Sequence, residues 1–207
     1  MLTREALQVP RAPKQLSLYL AEVFTSIRRN TSARHAAQSR KGLYKQLIEE
    51  LWPISWYFER KYYDTSFRLK LKLGNQPFDA EIIDDRNQLV EQIEISWPIN
   101  GRRHAGIVEE LNRKGYGGFE TYEDPLEKIR EVFEFTITGA HKKAVRDYRS
   151  EMQSTLALIV DLSPYYDREN DAHQYELERL TAALSEITYR VNNVVLLVAN
   201  TRKVMML

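Results

Sequence analysis

The sequence predicts an α/β protein: a central mixed sheet, made of a three-strand meander plus two parallel strands, is flanked by helices and preceded by an N-terminal helical extension. Three observations predict it. Apolar residues recur every third or fourth position through the first fifty residues, as on one face of a helix. From Phe67 the period drops to two. Towards the C-terminus two unbroken apolar runs, "STLALIVDL" and "NNVVLLVAN", bracket an amphipathic stretch, the pattern of buried parallel strands joined by a crossover helix.

The elements follow in order. After a proline-marked arm, "QLSLYLAEVFTSIRR" places Leu16, Leu20, Val23, Phe24 and Ile27 on one helical stripe that ends near Asn30. A second helix starts after the capping cluster "NTS" and runs through "ARHAAQSRKGLYKQLIEEL" to Pro53, which interrupts or kinks it. "ISWYFERKYYD" fits neither period well and reads as a last helical turn leading into a connector. Phe67, Leu69, Leu71 and Leu73 alternate with Arg68, Lys70 and Lys72 as the first strand, and Gly74-Asn75 turns the chain. "FDAEII" is the second strand, "DDRN" a turn and "QLVEQIEISW" the third. "AGIVEELNRKG" reads as a short helix and "YGGFETYEDP" as a loop. The helix opened by Pro125 keeps its spacing through Phe133 and is expected to fray or break near Gly139.

At 207 residues and 24.3 kDa the chain suits one core domain, residues 31–207, with an arm and helix at 1–30 as its appendage. The absence of cysteine excludes disulfides, thiolate metal ligands and thiol catalysis. A net charge of +1 from 30 basic and 29 acidic side chains gives no global field for a polyanion, so any such site must be local. One local excess exists: no acid lies between Glu22 and Glu49, while Arg28, Arg29, Arg34, Arg40, Lys41 and Lys45 do. These form either a solvated helical face or a nucleic-acid contact. "MLTREALQVPRAPKQ" has no apolar core of a signal peptide and "VVLLVA" is too short to span a bilayer, so a cytoplasmic protein with no membrane partner is expected.

Alternation puts Gln92, Glu94 and Ser96 on one side of the third strand and Ile93, Ile95 and Trp97 on the other. Asp79 opens the second strand just after Pro77 and Phe78, with Glu81 on its side of the sheet, so a meander brings these carboxylates near Glu94. Converging carboxylates repel unless a cation or proton lies between them, and hard oxygen ligands suit magnesium or manganese. The alternative is that Asp79 caps a turn and Glu94 meets Lys70 or Lys72.

The order helix, meander with an acid after a proline, "IEIS", helix, strand resembles the PD-(D/E)XK nuclease superfamily over residues 31–200. That resemblance implies a restriction-endonuclease-like core, a Mg or Mn cofactor and phosphodiester hydrolysis. It makes Asp79 and Glu94 the metal ligands, with Glu50, or else Glu49 or Glu59, as the helical acid. Ser96 stands where the superfamily's catalytic lysine belongs, and a serine carries no positive charge. Lys72, or Lys70, could project an ammonium into the same pocket, and Gln92 could orient water as a neutral group. Arg102 and Arg103, in "GRRHAG" after the third strand, join Arg28, Arg29, Arg40 and Lys41 as candidate nucleic-acid contacts. The alternative is a catalytically inactive scaffold of the same fold that engages a protein partner or a second copy of itself.

His35, His104, His141 and His173 have no ligand spacing. "KGYGGFETY" lacks the order of a phosphate loop, and Trp52, Trp56, Tyr57, Tyr62 and Tyr63 are expected to pack in a core or interface.

Overall fold

Thr3 accepts the N–H of Ala6 at 3.1 Å and starts α1 (Arg4–Gln8), which buries Leu7. This is a computed structural model and describes residues 2–74, 76–97, 125–146, 148, 153–161, 169–199 and 201–207. α2 (Pro13–Arg29) begins with proline in its first turn and buries Leu16, Leu20 and Ile27 along the expected stripe. Asn30 both ends α2 and begins α3 (Thr31–Gln38). Its N–H returns to Ser26 and Ile27 carbonyls, and its side chain accepts the N–H of Ala33 at 2.9 Å.

The single helix expected after "NTS" is broken at residues 39–42, where Arg40 and Gly42 take φ of 48° and 55°. Glycine enters this left-handed region without a Cβ clash. Arg40 does so while its guanidinium pairs with Glu49 at 3.0 Å. The helix resumes as α4 (Leu43–Gln46), passes through a π-helical turn at Leu47–Leu51, and continues as α5 (Trp52–Tyr62). Pro53 therefore does not end the helix. It occupies the first turn of α5, and the wider turn before it accommodates a residue that cannot donate to the ladder. The aromatic segment read as a connector is a full helix of 11 residues, with Ile54, Trp56, Tyr57 and Phe58 all buried. Burial around much of its circumference is what hid its period.

β1 (Arg68–Leu71), β2 (Ala80–Ile83) and β3 (Leu89–Ser96) form the predicted antiparallel meander. Lys70 lies opposite Glu81 and Glu81 opposite Gln92, while Leu69, Leu71, Ala80, Ile82 and Ile93 are buried. In the "DDRN" turn Asp84 Oδ1 accepts the N–H groups of Arg86 and Gln88 at 2.9 and 2.7 Å, and Asn87 takes a positive φ of 61°. Arg11 exchanges two backbone hydrogen bonds with Leu69, so the N-terminal arm pairs with β1.

α6 (Pro125–Ala144) runs unbroken through Gly139, because Ile129, Phe133, Thr136 and Ala140 hold one face buried on both sides of it. β4 (Gln153–Val160), α7 (Asp171–Ser185) and β5 (Asn193–Val198) supply the predicted apolar strands and the helix between them. A further strand, β6 (Lys203–Met206), pairs antiparallel with β5 and was not expected, since "KVMM" is short and shows neither alternation nor a continuous apolar run. The sheet thus has six strands in chain order, mixing parallel and antiparallel pairs.

The chain divides into two compact units. Unit 1 is Met1–Ile95 with Tyr148–Ala157, and unit 2 is Ser96–Asp147 with Leu158–Leu207. Among the described residues no helix is long and apolar enough to cross a membrane. The short helix expected at "AGIVEELNRKG", the glycine-tyrosine loop after it, and Arg102, Arg103 and His104 lie outside the described residues.

Candidate functional site

Asp79 stands one residue before β2 and is fixed from three directions. Its N–H donates to the Ile93 carbonyl at 2.9 Å, its carbonyl accepts the Lys72 N–H at 2.8 Å, and its Oδ2 accepts the Ile95 N–H at 2.7 Å. It therefore brackets Glu94, which lies between its two partners on β3 and is only 5% exposed. These bonds set Asp79 beside the stretch of β3 that carries Glu94. Glu50, on the π-helical turn, is coupled electrostatically to Asp79: burial first, then the charges of Asp79 and Glu49, push its carboxyl up to about 8, against an opposing Lys45.

Lys72 enters this row through its backbone, but its ammonium lies 3.1 Å from Glu81. Ser96 is buried at the end of β3. Of the alternative helical acids, Glu49 is held by Arg40 and Lys45, and Glu59 accepts a hydrogen bond from the Ser17 hydroxyl.

Among the described residues no group of three or more His, Cys, Asp or Glu is arranged to hold a metal ion. Magnesium keeps several waters and is commonly bound through one or two carboxylates. Of the two acids expected to bind it, Asp79 already gives one oxygen to the Ile95 N–H, and Glu94 is buried on β3.

The chain matches no protein-family model, no curated protein and no solved structure. What the site can do rests on its own chemistry.

The basic residues separate by environment. Arg28 and Arg29 are exposed in the last turn of α2, with Arg28 donating to the Thr25 hydroxyl at 3.2 Å, and Lys41 is exposed in the break before α4. Arg40 instead pairs with Glu49, so its charge is committed within the fold. Trp52 packs edge-on against Phe24 and Trp56, each with ring centroids 5.2 Å apart, as the packing expectation requires.

A second carboxylate site in unit 1 escaped the sequence reading. Glu91 is 0% exposed, on the apolar side of β3 with Ile93 and Ile95. It accepts from the Tyr57 hydroxyl at 2.7 Å, from the Tyr62 hydroxyl at 2.6 Å and from the Thr155 hydroxyl, and Lys61 Nζ lies 3.3 Å from both its oxygens. Burial, reinforced by Glu91, pushes both phenols well above the usual tyrosine range, so they stay protonated donors. A buried carboxylate with this many donors is a satisfied network that pins α5 to the sheet. The signal available in sequence was an acid two residues before Ile93, in phase with the apolar side.

Proposed function

We propose that this chain is a nucleic-acid-binding protein of restriction-endonuclease-like fold that hydrolyses phosphodiester bonds with a divalent metal at Asp79 and Glu94. The observation that supports the reading most is the position of Asp79, whose hydrogen bonds to Ile93 and Ile95 flank Glu94 along β3 and whose charge Glu50 feels. Magnesium or manganese bound there would supply an activated water and offset charge on a scissile phosphate. In the protein itself, Asp79 and Glu94 would hold the cation, and Glu50 would add its charge beside Asp79. Arg28, Arg29 and Lys41 would meet the phosphate backbone. Lys72 stands nearest by chain position, and release from Glu81 would allow its ammonium to approach a phosphate.

Calorimetric titration with Mn²⁺, together with cleavage assays on DNA and RNA, tests this. Wild type should bind and cleave, whereas Asp79→Ala should do neither while remaining folded. Absence of both binding and cleavage in the wild type overturns it.

A second reading has its own observation. Ser96 occupies the position where the resemblance places a lysine, and Lys72, the candidate to replace it, is paired with Glu81. That pattern favours a scaffold that retains the fold and serves a protein partner or a homodimer. Metal binding without cleavage in wild type, with cleavage gained in Ser96→Lys, would select it.

A further inference from the structure

β6 stands last in the order of the six strands, so one of its sides has no strand beside it among the described residues. The other edge strand, β1, is bridged by Arg11 of the N-terminal arm. The ladder between β5 and β6 shows which backbone groups are left over. Leu207 donates its N–H to the Val194 carbonyl at 3.0 Å, and in the same register Met205 lies opposite Leu196 and Lys203 opposite Val198. Residues of an antiparallel strand bond alternately to one side and the other, so the N–H and C=O groups of Val204 and Met206 point to the open side.

Such an edge is a template for a further strand, and native sheets guard it with charge or proline along its length. In β6 the one charge, Lys203, stands at the start, while Val204, Met205 and Met206 carry none and Met206 is 58% exposed.

We infer that β6 pairs antiparallel with β6 of a second copy of this chain, about a two-fold axis through Met205. Self-complementarity selects this occupant. The axis sets Val204 opposite the second copy's Met206, and the reverse, so the outward groups of two residues per copy exchange about four hydrogen bonds with each other. The exposed Met206 side chain then lies against Val204 instead of water. The same axis puts the two Lys203 residues at opposite ends of the pair, roughly 14 Å apart and beyond the screening length of about 8 Å. A parallel pairing in register would set those ammonium groups side by side. The inference uses no residue of the acidic site and holds under either reading of it.

Sedimentation velocity of the full chain over about 1–200 µM should show a monomer–dimer equilibrium with a Kd in the tens of micromolar, the weak affinity of a small interface. Val204→Pro removes an outward N–H and no bond to β5, a change that edge strands tolerate. It should weaken the dimer at least about tenfold and leave the thermal melt little changed. Because the chain has no cysteine, single cysteines map the register directly and keep every backbone N–H. Met205→Cys sets two thiols across the axis, where paired Cα atoms are about 4.5 Å apart, within disulfide reach. With oxidised glutathione as oxidant it should give a disulfide-linked dimer at least about tenfold faster than Lys203→Cys, whose thiols the axis holds apart. A monomer throughout the concentration range, a dimer that Val204→Pro leaves unchanged while folded, or equal cross-linking at the two positions overturns the pairing.

Discussion

Asp79 Oδ2 accepts the backbone N–H of Ile95 at 2.7 Å, so one side chain supplies β3 with a partner that a strand carbonyl would otherwise provide. This gives Asp79 a structural role beside any role at a metal. Asp79→Asn keeps an acceptor for Ile95 and should fold with a loss under about 1 kcal/mol. Asp79→Ala leaves the N–H unpaired and should lose about 1–3 kcal/mol. Both should abolish Mn²⁺ binding. Urea denaturation run beside calorimetry checks this, and Mn²⁺ affinity retained in the Asn variant would remove Asp79 from the metal site.

Glu50 makes the metal-free protein sensitive to pH. Its folded carboxyl titrates near 8 against 4.5 for the ordinary group, so between those values the folded chain holds a proton that the unfolded chain has released. Stability from this group is therefore complete below about pH 4.5 and declines as pH rises towards 8, by at most about 1.4 kcal/mol per unit. Asp79, Glu49 and Lys45 face the same group. Glu50→Gln should flatten the profile between pH 5 and 8, measured by urea unfolding at three pH values. Parallel profiles for variant and wild type would count against the assignment.

The Glu91 network should behave as one unit. Glu91→Ala strands the Tyr57, Tyr62 and Thr155 hydroxyls and the Lys61 ammonium, and a loss of about 3–5 kcal/mol is expected. Lys61→Met leaves the buried carboxylate without its counter-charge and should also destabilise, by less because Lys61 is part-exposed. The double variant should be less damaged than the sum of the two, which a double-mutant cycle reads directly.

Arg28 and Arg29 differ from Arg40 in a way salt can separate. If nucleic acid is bound, Arg28→Ala with Arg29→Ala should lower affinity and reduce the slope of log affinity against log salt by about 2. Arg40→Ala breaks its pair with Glu49 and should chiefly lower stability, by about 1 kcal/mol. Filter binding across a salt series, with a thermal melt for each variant, distinguishes these outcomes.

The meander, the stripe on α2 and the apolar strands β4 and β5 were legible because alternation and helical spacing are local properties of the chain. The pairing of the Asp79 end of β2 with β3 was legible for the same reason, since a short hairpin fixes which residues face each other. The break at Arg40 and Gly42 was not, because a helical apolar pattern continues across it and only the backbone angles reveal the turn. Nor was the course of α5, whose aromatics are buried on several sides.

By itself the sequence determined the α/β class, the order of most elements and the meander that carries Asp79 and Glu94. Tertiary structure decided which charges are committed. Lys72 turns to Glu81, Arg40 to Glu49, and Glu91 gathers partners 29, 30, 34 and 64 positions away. The physical reason is that side-chain pairing inside a fold depends on which distant groups are buried together, and low polarity there obliges each buried charge to find a partner that local periodicity does not encode.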